Sequence, residues 1–338
     1  MMAFESAALV EISRLTNFLK DRAGDLIIDA DVHVTDTKRF PPRAVEHYYH
    51  GRPVSGEDIV REMDSAGISL SNIWQNPAAT PDTGSEDENA EALLTANAYV
   101  AECASRFQGR FIPSGWTDPK ACGVSNAIRI AEICVRRFGF ALVKMNPAQN
   151  RFPMDSQAVV AVADRIVELG AAPTFHFGAD SEFTPISALR TLAKRYHPHP
   201  IVAVHMGGGG ASYLGAEQMY HEARELGLKH PNIRYIFSAI RDTYIEEALI
   251  TYQIAGAPYS SNLFCGSDAP YGRMAWNFGG FRAMFRSLCD NTRHSDPRVR
   301  SRPGLFCEDA VQRYMGGNFA TFVLETYRHI LDANGREA

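Results

Sequence analysis

A chain of 338 residues, 45% hydrophobic and 22% charged, has the balance of a globular protein long enough to bury a large core. Its net charge of -5 is mild, no cluster of Lys and Arg offers a nucleic-acid surface, and no apolar run has the length of a membrane span; neither nucleic acid nor a bilayer is an expected partner. Length alone allows two domains, but α/β barrels of this size are common and no low-complexity linker divides the chain, so residues 1–338 read as one domain.

Residues 1–24 carry Phe4, Ala8, Leu9, Ile12, Leu15, Phe18 and Leu19 at helical spacing, interrupted by Glu5, Glu11 and Arg14. They predict an amphipathic helix docked on the main body, since a secretory leader needs an unbroken apolar stretch after a basic start. The first strand follows at 26–34, LIIDADVHV. Alternation puts Asp29, Asp31 and His33 on one face and Ile28, Ala30, Val32 and Val34 on the other.

Seven further apolar, β-rich runs come in order: 68–77, 109–116, 140–147, 172–178, 201–208, 233–240 and 262–270. Amphipathic stretches at 125–139, 155–170 and 244–256 lie between them, and several end in Gly, as helix C-termini do. A helix at 278–288, a polar loop at 290–303 and C-terminal helices complete the chain. Strand ends recur about every thirty to forty residues, the length of a βα unit. Eight such units predict an α/β fold of the (β/α)8 type, a TIM-like barrel. Its core spans about 25–290, with terminal helices at 1–24 and 291–338. The six cysteines (103, 122, 134, 265, 289 and 307) form no CxxC pair, which suits a reduced, cytoplasmic protein.

In such a barrel the strand C-termini converge on one mouth. Asp31 and His33 end the first run, Lys144 the fourth, His176 the fifth, His205 the sixth and Asp268 the eighth. Taken singly, His176 reads as a hydrogen-bonded core residue and Asp268 as a helix cap. Five imidazole and carboxylate groups at one structural address instead predict a site for one divalent metal ion, Zn²⁺ or Mn²⁺, with a position open for water or substrate. His47, His50, His197, His199, His221, His230, His294 and His329 fall on helical or turn segments and read as surface or structural residues. The glycine run at 207–210 lacks the Lys-Ser/Thr ending of a P-loop and reads as a tight turn. Arg241, just past the seventh strand, is placed to grip a substrate carboxylate. Trp74, Asn76, Tyr271 and Trp276, expected on loops after strands two and eight, are placed to wall a cyclic or aromatic substrate.

The motifs IDADVH (28–33), GFALVKMNP (139–147), PTFHFG (173–178), IVAVHMGG (201–208), LFCGSDAPYG (263–272) and GGNFATFV (316–323) together resemble the amidohydrolase superfamily. The resemblance is to the amidohydrolase-related branch that includes aminocarboxymuconate semialdehyde decarboxylase and γ-resorcylate decarboxylase. It implies Asp31, His33, His176 and Asp268 as metal ligands and His205 as an acid/base group or a further ligand. The branch usually opens on His-x-His; here the first position is Asp31, as in some of its decarboxylases. A lysine at the position of Lys144 bridges two metals in some superfamily members, but in this branch it implies anion binding or an ion pair.

The resulting expectation is a metal-dependent enzyme, a homo-oligomer (dimer), acting on a small, carboxylated, cyclic or aromatic molecule. Hydrolysis of a C–O or C–N bond by metal-activated water leads, with Asp268 taking the proton and His205 stabilising the oxyanion. Nonoxidative decarboxylation is the alternative, and a non-catalytic scaffold that keeps the motifs is the second.

Overall fold

The computed structural model describes residues 4–22, 24–40, 53–80, 82–178, 182–208, 217–240 and 242–335. Among the described residues, nine parallel strands alternate with helices except between the third and fourth: β1 (Ile28–Val34), β2 (Leu70–Gln75), β3 (Phe111–Pro113), β4 (Gly115–Trp116), β5 (Leu142–Met145), β6 (Ala172–Gly178), β7 (Ile201–Gly207), β8 (Ile233–Phe237) and β9 (Leu263–Cys265). They pair in chain order as β1-β2-β3 and β4-β5-β6-β7-β8-β9.

The two sheets are one (β/α)8 barrel. The run at 109–116 predicts a single strand; the structure splits it at Ser114 into β3 and β4. Ser114 N still donates to Ile73 O of β2 (3.0 Å), whereas Thr117 N donates to Lys144 O of β5 (3.0 Å), so this stave changes partner midway. The other seam is closed by β1 and the residues after β9. Val32 forms a parallel bridge with Ala269. His33 N donates to Ala269 O (2.7 Å), and Asp268 N to Asp31 O (2.9 Å).

Every residue of β1, β2, β5, β6 and β7 is buried, as continuous Val/Ile/Leu-rich parallel strands covered on both faces should be. The helices that cover them start and stop on local signals. Ser55 and Ser85 close capping boxes with Asp58 and Glu88 at the heads of Gly56–Ala66 and Glu86–Arg106. Gly170, which ends the predicted helix at 155–170, takes φ +79°, and a Cβ there would lie 2.4 Å from His329 O.

The N-terminal helix runs Ser6–Arg22 and packs on the C-terminal helix Asn318–Gly335, while Phe319 and Phe322 pack on Phe264 of β9. The helix expected at 278–288 begins four residues earlier, at Met274. This places Trp276 on its first turn, 79% exposed. Among the described residues no helix is long and apolar enough to cross a membrane.

Closure depends on a glycine. A Cβ on Gly266 would meet Ile236 Cγ2 at 2.8 Å and Asp31 Cβ at 3.1 Å, in a wall with no room to yield. Gly266→Val should therefore destabilise the barrel by about 1–3 kcal/mol, read as a lower urea midpoint. A wild-type midpoint would show that β1 and the last stave are not in contact there.

Candidate metal centre

Asp31, His205 and Asp268 each bring one oxygen or nitrogen within 4.8 Å of the others. His33 Nε2 lies 3.5 Å from Asp268 Oδ1 and 3.8 Å from Asp31 Oδ1. His176 meets His205 edge to face, ring centroids 4.6 Å apart. The five side chains come from β1, β6, β7 and the turn after β9, so the barrel brings together residues up to 237 positions apart (from Asp31 to Asp268). His205 and Asp268 take φ +78° and +59°, a region that non-glycine residues adopt at a cost, and here the sharp turns aim both into the mouth.

The imidazoles are oriented by acceptors that leave no choice of tautomer. His33 Nδ1 lies 2.9 Å from Gln75 O, and His205 Nδ1 lies 3.1 Å from Ser238 O. A carbonyl only accepts, so both rings carry the proton on Nδ1 and turn the Nε2 lone pair to the cluster. Burial, then the neighbouring His176, pushes His205 down to about 4, against the pull of Asp268 and Asp31; it is neutral at physiological pH. Two imidazoles anchored through Nδ1, beside two carboxylates, are a donor set that fits a divalent cation.

Asp31 is wholly buried. Its Oδ1 accepts from Trp74 Nε1 (3.0 Å) and Lys144 Nζ (3.1 Å), and its Oδ2 from Ser238 Oγ (2.7 Å). Burial pushes the carboxyl up, but Lys144, then His205 and His33, with the Ser238 hydroxyl, outweigh it and hold Asp31 well below the usual carboxylate range. Lys144 in turn sits with Nζ 5.2 Å from the ring centroids of both Trp74 and Trp116. Two aromatic faces and a carboxylate replace the water its ammonium has lost; cutting one partner out of such a buried pair costs about 3–5 kcal/mol.

Two expectations need correcting. Trp74 does not lie on a loop after the second strand. It is inside β2, completely buried, and its indole serves Asp31. Asp29 does not join Asp31 and His33. The pairing register of β1 slips between Asp29 and Val32, and the Asp29 carboxylate accepts from Asp31 N (3.2 Å), Ser267 N (2.8 Å) and Ser267 Oγ (2.5 Å). Arg241 lies outside the described residues.

Asn76 and Tyr271 do stand at the mouth. Tyr271 is edge-on to His33 at 5.4 Å, and Trp116 at 5.8 Å. Asn76 Oδ1 accepts from Tyr271 OH (2.5 Å) and Ala78 N (3.0 Å), which fixes the amide; its Nδ2, also buried, has no partner among the described residues. The sequence reading missed Ser238, Trp116 and Ser267. Ser238 could have been found by the rule that found the others, because it directly follows the apolar run IRYIF.

A parallel eight-stranded barrel with histidines and carboxylates at its strand ends defines a metal-dependent hydrolase or carboxy-lyase. The chain belongs to the Amidohydrolase family, whose sequence model matches residues 28–276. Among proteins of curated function, none matches it in sequence.

Solved structures of similar fold include 5-carboxyvanillate decarboxylase from Sphingomonas paucimobilis, 15% identical with a TM-score of 0.61, covering 88% of this chain and 98% of that one. A 5-carboxyvanillate decarboxylase from Novosphingobium aromaticivorans, complexed with manganese and 4-hydroxy-3-methoxy-5-nitrobenzoic acid, is 14% identical with a TM-score of 0.61, covering 89% and 96%. The 4-oxalomesaconate hydratase of Rhodopseudomonas palustris is 17% identical with a TM-score of 0.58, covering 92% and 99%.

Burial pushes Asp29 up to about 8, against the hydrogen bonds from Ser267 and the Asp31 amide. The unfolded chain releases this proton near pH 4, at about the usual Asp value. Folding therefore takes up a proton in between: the stabilisation is full below about pH 4 and is lost as pH rises through about 8. Asp29→Asn keeps a neutral group. The stability of the variant relative to wild type should rise by up to about 1.4 kcal/mol per pH unit between about pH 5 and 7, measured by urea titration. A constant difference would mean that Asp29 is ionised in the folded barrel.

Proposed function

We propose that this enzyme is a nonoxidative, metal-dependent decarboxylase of a planar aromatic acid with a hydroxyl beside its carboxylate. The observation that carries the proposal is the surroundings of His33, where Trp116 and Tyr271 meet the imidazole edge to face and the buried Asn76 amide has no acceptor among the described residues. Flat aromatic walls suit a flat ring, and a buried N–H without an acceptor leaves a place for a substrate oxygen. The carboxylate at Asp31 and the fold shared with two decarboxylases of an aromatic acid, one of them holding manganese, support the same reading. Hydrolysis of a C–O or C–N bond uses the same donor set, but nothing in these surroundings favours it.

Asp31, His33, His176 and Asp268 would hold one divalent ion, and their mixed oxygen and nitrogen donors suit Mn²⁺ as well as Zn²⁺. Bound there, the ion supplies Lewis-acid withdrawal of charge from the substrate's carboxylate and hydroxyl. The protein's own part is positional and protonic. Trp116 and Tyr271 hold the ring flat and exclude water, and Asn76 Nδ2 donates to a substrate oxygen. Asp268, with its side chain 17% exposed at the mouth, carries a proton to the ring carbon that bears the carboxylate. That C–C bond then breaks, its electron pair returns to the ring and CO₂ leaves, so one proton is consumed for each CO₂ released. His205, with Nε2 open to the same space, is the second proton carrier.

Protein purified without chelators should hold about one metal ion per chain, and His33→Ala should lose it, as read by elemental analysis. About two ions per chain would instead make Lys144 a bridging ligand. With Mn²⁺ and a panel of hydroxybenzoates in D₂O, the product should carry one deuterium at the carbon that lost CO₂ and no oxygen from labelled water. Asp268→Asn should lower kcat by at least about 100-fold. A new acid bearing a water-derived oxygen would replace decarboxylation with hydrolysis.

A further inference from the structure

Ser238 directly follows β8 and is 1% exposed. Its Oγ lies 2.7 Å from Asp31 Oδ2 and 2.9 Å from His205 Nδ1, and its own carbonyl lies 3.1 Å from the same nitrogen. The direction of this chain is determined. An ionised carboxylate only accepts, so the hydroxyl proton points at Asp31, and the Oγ lone pairs face a His205 Nδ1 that must then be N–H. Both oxygens of one residue thus receive the same imidazole proton. On the far side, Trp74 and Lys144 occupy Asp31 Oδ1, so with Ser238 on Oδ2 three of the carboxylate's roughly four lone-pair sites are taken.

We propose that Ser238 is a positioning residue. Its hydroxyl joins Asp31 and His205 into one rigid unit that turns the last free lone pair of Asp31 towards the ion and the Nε2 of His205 towards the substrate beside it. This inference rests on the reading of the cluster as a metal centre. It explains why a hydroxyl stands at the end of an otherwise apolar strand: alanine would leave Asp31 Oδ2 buried without a donor, and the carboxylate free to rotate about its remaining contacts. Partners of this kind, which touch ligands rather than the ion, typically set metal affinity within a factor of about 10–100.

The test uses the full chain as wild type, Ser238→Ala and Ser238→Thr, with folding confirmed by circular dichroism. Ser238→Cys, which keeps the volume with a weaker donor, replaces the alanine variant if that one does not fold. Mn²⁺ affinity is measured by calorimetry on metal-free protein. The ring nitrogens of His205 are followed by ¹⁵N NMR, assigned by their loss in His205→Gln.

Ser238→Ala should weaken Mn²⁺ binding about 10–100-fold and shift the His205 Nδ1 resonance, because that N–H loses one of its two acceptors while the Ser238 carbonyl keeps the proton on Nδ1. Ser238→Thr should restore both. If wild type binds Mn²⁺ and Ser238→Ala matches it in affinity and ¹⁵N signature, the positioning role is overturned and the metal centre stands. If wild type binds no Mn²⁺, the metal centre is overturned; the His205 Nδ1 shift in Ser238→Ala then decides separately whether the hydroxyl positions His205.

Discussion

The site depends on how the barrel closes. β1 meets the turn after β9 through two backbone hydrogen bonds, His33 N to Ala269 O and Asp268 N to Asp31 O, which pair Val32 with Ala269. The second of these binds the backbones of two of the candidate ligands directly to each other. Asp29 reinforces the seam from below, gripping Ser267 through its amide and its hydroxyl. Gly266 lets the two staves approach, since a side chain there would strike Asp31. Were this seam to open, Asp31 and His33 would leave Asp268, and no donor cluster would remain.

The second constraint is charge. A carboxylate with no exposure to water is unfavourable by many kcal/mol unless its lost hydration is replaced. Asp31 has replaced it completely, with an ammonium, an indole N–H and a hydroxyl. Lys144 has done the same with Asp31 and two indole faces. The floor of the site is thus a neutral, rigid ion pair, with Asp268, His33 and His176 grouped above it.

The legibility of these features in the chain follows their physical range. Strands, helix stops and the strand-end histidines and carboxylates were readable, because burial and periodicity are local and the barrel maps strand ends to one mouth. Trp74 was misplaced by a residue or two, because IWQNP blurs where a strand becomes a loop and the boundary is set by pairing with β1. Asp29 was assigned to the wrong company, because a slip in register breaks strict alternation and depends on the partner strand. Ser238 went unnoticed because a lone serine carries no spacing signal; its meaning lies in atoms 33 and 207 positions away.

The sequence by itself determined an eight-fold α/β barrel and the side chains that converge at its mouth, because these follow from hydrophobic periodicity and from residues at strand ends; its family followed from the likeness of its motifs. Only the tertiary structure decided how those side chains are used. It assigned Lys144 and Trp74 to Asp31, anchored His33 and His205 through Nδ1, and separated Asp29 from its neighbours on the same strand. The reason is that hydrogen bonds and ion pairs are decided over about three ångströms between residues far apart in the chain, a distance that no pattern along the chain encodes.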